Sequence, residues 1–147
     1  MSLHFYSYAR KGYEFIDEVS RELKTTDTDK AGRMIRCVLR ALRNRLTIEE
    51  GFSFMAQLPM ALKSVFVDGW KMKKEYKKIQ NMEDFSAEVL NEDAYSAWKD
   101  FTSSEEVKAT ILAVFKVLTR HIASNEAGII FNVLPMDLQK LLQPESV

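Results

Sequence analysis

Apolar residues recur along two stretches of the chain with the same rhythm. Ala31, Ile35, Val38, Leu39, Leu42 and Leu46 follow one another at gaps of 4, 3, 1, 3 and 4, and so do Val107, Ile111, Val114, Phe115, Leu118 and Ile122. Such gaps place all of these side chains on one face of a 3.6-residue helix, and the period-2 alternation of a strand does not reproduce them. The stretches lie 76 residues apart, and the same offset carries Leu58-Pro-Met60 onto Leu134-Pro-Met136. Between positions 31 and 62 eight of 32 residues are identical at this offset, Glu50 with Glu126 and Leu62 with Leu138 among them. A random pair of segments would share about two, so the pattern indicates a duplicated helical repeat. Upstream, Glu14-Phe-Ile-Asp-Glu-Val19 resembles Asp84-Phe-Ser-Ala-Glu-Val89 at an offset of 70, which gives the second repeat a longer link before its main helix.

Boundary residues divide the pattern into elements. Thr47-Ile-Glu-Glu50 and Ser103-Ser-Glu-Glu106 are capping boxes, in which the hydroxyl accepts from the third following amide and the glutamate reaches back. Pro59 and Pro135 lack an amide proton and favour a first helical turn, so each pattern breaks there and restarts. The chain therefore reads as helices near 10–24, 29–46, 48–57, 59–67, 82–98, 104–122, 125–132 and 135–143. The expected architecture is all-α: one domain over 1–147, with repeat one at about 10–67, a linker at 68–81 and repeat two at about 82–143.

Composition narrows the class. With 46% hydrophobic and 29% charged residues in 147 positions, the chain has material for a real core and a solvated surface, which argues against disorder. The longest apolar runs, such as Ile111 to Phe115, fall far short of the roughly 20 residues that span a bilayer. Met1 to Tyr13 mixes aromatics with His4, Arg10 and Lys11 and forms no secretory h-region, so the expected location is the cytoplasm and no membrane partner is expected. Cys37 is the only cysteine, which rules out an internal disulfide and a multi-thiolate zinc site; no metal and no cofactor are called for. Net charge is zero but unevenly spread: 4 basic and 5 acidic side chains in 1–28, 12 and 5 in 29–78, 5 and 11 in 79–147. Such asymmetry arises either from a basic binding face or from halves that dock or oligomerise through complementary fields.

With these elements in place, Arg43-Asn-Arg-Leu46, Glu49-Glu50, Ala56-Gln-Leu-Pro-Met60 and Asp68-Gly-Trp70 carry a resemblance. In order and spacing they are similar to the signature of a bacterial family known as domain of unknown function twenty-two sixty-seven, whose members typically read Arg-Asp-Arg-Leu, Ala-Gln-Leu-Pro and Gly-Trp. This chain departs from it at Asn44, where aspartate is usual, and at Lys63-Ser-Val-Phe66, where an arginine-glycine-aromatic phrase is usual. The resemblance implies an all-helical duplicated domain and no established activity, substrate or cofactor. Arg45, Glu50, Gln57, Pro59, Gly69 and Pro135 then stand as structural motif positions.

Three features could carry chemistry. Arg33, Arg36, Arg40 and Arg43, at gaps of 3, 4 and 3, form one ridge beside the apolar face of their helix. The matching positions of the second repeat are Ala109, Leu112, Lys116 and Thr119, so the repeat itself does not require the ridge. Its functional reading is an anion surface, for nucleic-acid phosphates or an acidic protein; its plain reading is a solvated face neutralised by the acidic stretch Glu83 to Glu106. Trp70-Lys-Met-Lys-Lys-Glu-Tyr-Lys-Lys78 adds five lysines and two aromatics, with Trp70, Lys73 and Lys74 as candidate contacts, although Trp70 after Gly69 could equally fold back over the core. Arg45 falls inside the apolar arc, where it would cap the helix C-terminus or pair with Glu49 or Glu50; His121 occupies its place in the second repeat.

For catalysis the inventory is poor: no glycine-rich phosphate loop, no paired metal-ligand motif and no nucleophile elbow. The function expected is a helical binding or structural module whose partner is an acidic protein surface or a second copy. A polyanion or nucleic-acid contacting module is the alternative.

Overall fold

The structure, a computed structural model, describes residues 3, 5–73, 75–96, 98–122 and 127–142. Among them are eight α-helices and no strand: α1 Phe5–Glu22, α2 Thr28–Arg43, α3 Ile48–Ala56, α4 Met60–Val67, α5 Met82–Ser96, α6 Ser104–Arg120, α7 Ala127–Asn132 and α8 Met136–Leu142. A long helix is followed by two short ones twice in the chain, 16, 9 and 8 residues in α2 to α4 and 17, 6 and 7 in α6 to α8. Glu126, His4 and Lys74 lie outside the described residues.

Boundaries differ from the sequence pattern where helix chemistry dictates. α1 starts at Phe5 rather than residue 10, because adding residues to a formed helix avoids the cost of nucleation and nothing in Phe5 to Ala9 breaks it. α2 stops at Arg43 rather than 46; Arg45 and Leu46 turn on i→i−3 hydrogen bonds to Leu42 and Arg43 of 3.0 and 3.4 Å. Thr47 then starts α3 with a complete capping box, the Glu50 amide donating to Thr47 Oγ1 and the Thr47 amide to Glu50 Oε1. The second box is shifted by one residue: Ser103 Oγ accepts from the Glu106 amide, but the Glu106 carboxylate takes the amide of Thr102 instead of Ser103. Pro59 is the N-cap residue of α4 and not its first helical position; its carbonyl accepts from Leu62 and Lys63. Pro135, buried, likewise precedes α8 and accepts from the Gln139 amide.

The apolar stripes of α2 and α6 make the centre. α2 packs chiefly against α5 and also against α1, α4 and α6, and α6 additionally receives α1, α5 and α8. Ile35, Val38, Leu42, Leu58, Leu62, Ile111, Val114, Phe115, Leu118 and Leu134 are all nearly inaccessible, as the helical spacing requires. A chain of aromatic contacts, Phe66 to Phe54 to Phe115 to Phe85, with centroids 5.5, 6.2 and 6.2 Å apart, ties α4, α3, α6 and α5 into one core. Gly12 lets α1 lie directly on α4, since a Cβ there would come within 2.6 Å of Ala61 Cβ.

Candidate partner-binding surfaces

The arginine ridge lies on the side of α2 that faces α5 and the α4 end, so most of it is committed inside the chain. Arg33 holds Asp100 through two bonds of 2.9 Å, Nε to Oδ2 and Nη2 to Oδ1, and its guanidinium stacks 4.4 Å from the Trp98 ring. That fork raises the Arg33 pKa above its ordinary value. Asp100 is itself placed by Asp93, which is buried and accepts the amides of Asp100 and Phe101 at 2.9 and 3.0 Å. Arg40 pairs with Asp68 at 3.0 Å. Arg43 is only 7% exposed and gives Nη1 to the carbonyls of Phe66 and Asp68 at 3.0 and 2.7 Å, tying α2 to the end of α4; burial lowers its pKa. Three of the four ridge arginines, Arg33, Arg40 and Arg43, are thus held by partners within the chain. Among the described residues, Asp100 is the one member of the acidic stretch 83–106 that pairs with the ridge, and Arg36, half-buried beside Glu92 and Tyr95, makes no ion pair.

Arg45 corrects a further expectation. It bonds neither the carbonyls of its own helix nor Glu49 or Glu50, because the linker folds across it. Its guanidinium forks onto Asp84 at 3.2 and 2.6 Å and also donates to the carbonyls of Lys77 and Lys78. The Arg45 bond is the main reason that the Asp84 carboxyl titrates below the usual aspartate range. His121 makes a different pair, with Glu18 of α1 at 3.0 Å, next to Arg120 and Lys116 on Glu22.

Around the linker, Gly69 adopts φ +71°, the left-handed turn that glycine accepts most easily, and aims Trp70 back at the core. Trp70 packs on Phe52 and Phe66 with centroids 5.4 and 5.6 Å away and lies so close over Gly51 that a Cβ there would sit 2.8 Å from the indole. The ring is therefore a half-buried cover, whereas Lys71 and Lys73 are exposed. Gln57 ends α3, its amide on the Phe54 carbonyl. Cys37 is buried, and desolvation pushes its thiol up to about 12, so it stays neutral near pH 7.

Sequence reasoning missed one surface. Phe5 and Tyr8 of α1, with Met55 of α3 and Met60 and Val67 of α4, wall an apolar groove of about 560 Å³. Phe5 is 66%, Met60 48% and Val67 45% exposed. The only available signal was that Phe5 and Tyr8, three residues apart, lie one helical step before the Gly12 contact. Among the described residues no group of three or more His, Cys, Asp or Glu side chains could hold a metal ion, and no helix is long and apolar enough to cross a membrane. A family model described as "uncharacterized conserved protein", DUF2267, matches residues 12–141. No curated protein matches the chain.

Proposed function

The chain belongs to the DUF2267 family, whose description assigns no activity, and on that premise we propose that it is an interaction module that docks another protein on the groove between α1, α3 and α4. The observation that carries this reading is the concentration of exposed large apolar side chains there: Phe5, Tyr8, Met60 and Val67. Scattered exposed apolar residues are ordinary, but a contiguous groove of them stays in water at a cost that a partner removes. The helical packing supplies the frame: the approach of Gly12 to Ala61 holds α1 against α4. Site-specific photo-crosslinking tests it. A benzophenone side chain at Met60 should form protein adducts that one at exposed Glu105 does not, and Phe5→Ser should abolish them. Equal labelling at both positions would refute the reading.

A second reading, contact with a polyanion, is supported by Arg36, which has no ion pair among the described residues, and by exposed Lys71 and Lys73. It requires heparin retention that falls with salt and whose slope flattens when Arg36, Lys71 and Lys73 become glutamine, since each lost phosphate contact releases fewer counterions. If the groove is the working surface, that retention is negligible.

A further inference from the structure

Resting on the groove reading above, we propose that the occupant is an amphipathic helix of a partner protein, apolar on one face and acidic on its flanks. Groove shape and charge point the same way. The groove lining comes from helices, α1 and α4 held at the close spacing that Gly12 permits and the end of α3, so the opening is a trough between helices lined by Phe5, Tyr8, Met55, Met60 and Val67. A helix presenting residues at i, i+3, i+4 and i+7 is the element that fills such a trough. Its flanks are set by the charges of the walls. From Phe5 to Tyr13 the charged residues are Arg10 and Lys11, and from Phe52 to Val67 the single one is Lys63, so these segments carry three cations and no anion. Of the acids next to these segments, Glu14 neutralises Arg10 at 3.8 Å and Asp68 is held by Arg40 at 3.0 Å, so Lys11 and the groove-lining Lys63, which make no ion pair among the described residues, are the cations that face an occupant. A second copy would bring Lys11 and Lys63 against their own kind across a two-fold contact, which disfavours it.

The experiment uses the intact protein and two designed 18-residue helical peptides with one identical apolar face, glutamate on the flanks of one and lysine on the flanks of the other. Binding is read by amide and methyl NMR shifts. Attraction of the acidic flanks to Lys11 and Lys63, and repulsion of the lysine flanks by them, should favour the acidic peptide severalfold at low salt. Shifts should gather at Phe5, Tyr8, Met60 and Val67, the preference should shrink with salt, and Lys63→Glu should reduce it severalfold without changing the circular dichroism. Equal or tighter binding of the lysine peptide in the groove would overturn the acidic-helix inference while leaving the groove reading intact. Failure of both peptides to shift groove residues would overturn both. Concentration-dependent self-association through the groove, or groove shifts on adding phosphatidylcholine–phosphatidylglycerol vesicles but not the acidic peptide, would replace the helix by a second copy or by a lipid surface and so overturn it as well.

Discussion

Replacing Asp93 by alanine should be among the more damaging single changes in the molecule, although the residue is polar and forms no ion pair among the described residues. It sits 3% exposed near the end of α5 and accepts two backbone amides, those of Asp100 and Phe101, at 2.9 and 3.0 Å. A buried amide left without an acceptor costs about 1 to 3 kcal/mol, so two of them set the scale at about 2 to 5 kcal/mol once some relaxation toward water is allowed. The damage should spread, because the same two bonds present Asp100 to Arg33. Losing them loosens a charge-assisted fork between side chains that are 24% and 7% exposed. Asp93→Asn should lie between wild type and alanine: the amide oxygen can replace one acceptor, but the NH2 faces the other N–H. Urea unfolding followed by far-UV circular dichroism gives the totals, and a double-mutant cycle with Arg33→Gln gives the coupling, expected at about 0.5 kcal/mol or more. Hydrogen exchange at the Asp100 and Phe101 amides should accelerate in the alanine variant. A loss below about 0.5 kcal/mol, with both amides still protected, would refute the reasoning.

Leu42→Ala and Leu118→Ala, at fully buried centres of the two long helices, should each cost about 2 to 5 kcal/mol in the same assay; a cost near zero would remove that helix face from the core. Asp84 titrates below its ordinary range when folded, so the stability from its pair with Arg45 is complete above the unfolded aspartate pKa and is lost as pH falls through the lower folded value. Asp84→Asn should therefore destabilise the protein at pH 7 and converge with wild type in acid; a pH-independent gap would contradict the pairing. Cys37, buried with its thiol at about 12, should react with an aromatic disulfide reagent at pH 8 at least about a thousandfold faster after unfolding than before, and rapid native labelling would show the burial to be wrong.

Much of the scaffold could be deduced from the chain alone because its determinants are local. Gaps of 3 and 4 along α2 and α6 mark one face each, Thr47 and Ser103 supply an acceptor at the residue where a helix must begin, and Pro59 and Pro135 break the ladder where they stand. The same locality explains the small errors, α1 running back to Phe5 and the Glu106 carboxylate reaching Thr102, which depend on a residue or two of fraying or side-chain reach. What the arginines do was decided only by tertiary structure. Spacing puts Arg33, Arg36, Arg40 and Arg43 on one ridge, but their partners arrive from Asp100, 67 residues away, and from Phe66 and Asp68; Arg45 meets Asp84 across 39. Helix spacing fixes the direction of a side chain and not what another helix brings in front of it. The groove has the same origin: Phe5, Tyr8, Met60 and Val67 are unremarkable in their own helices and become one apolar surface only because Gly12 allows α1 to lie on α4.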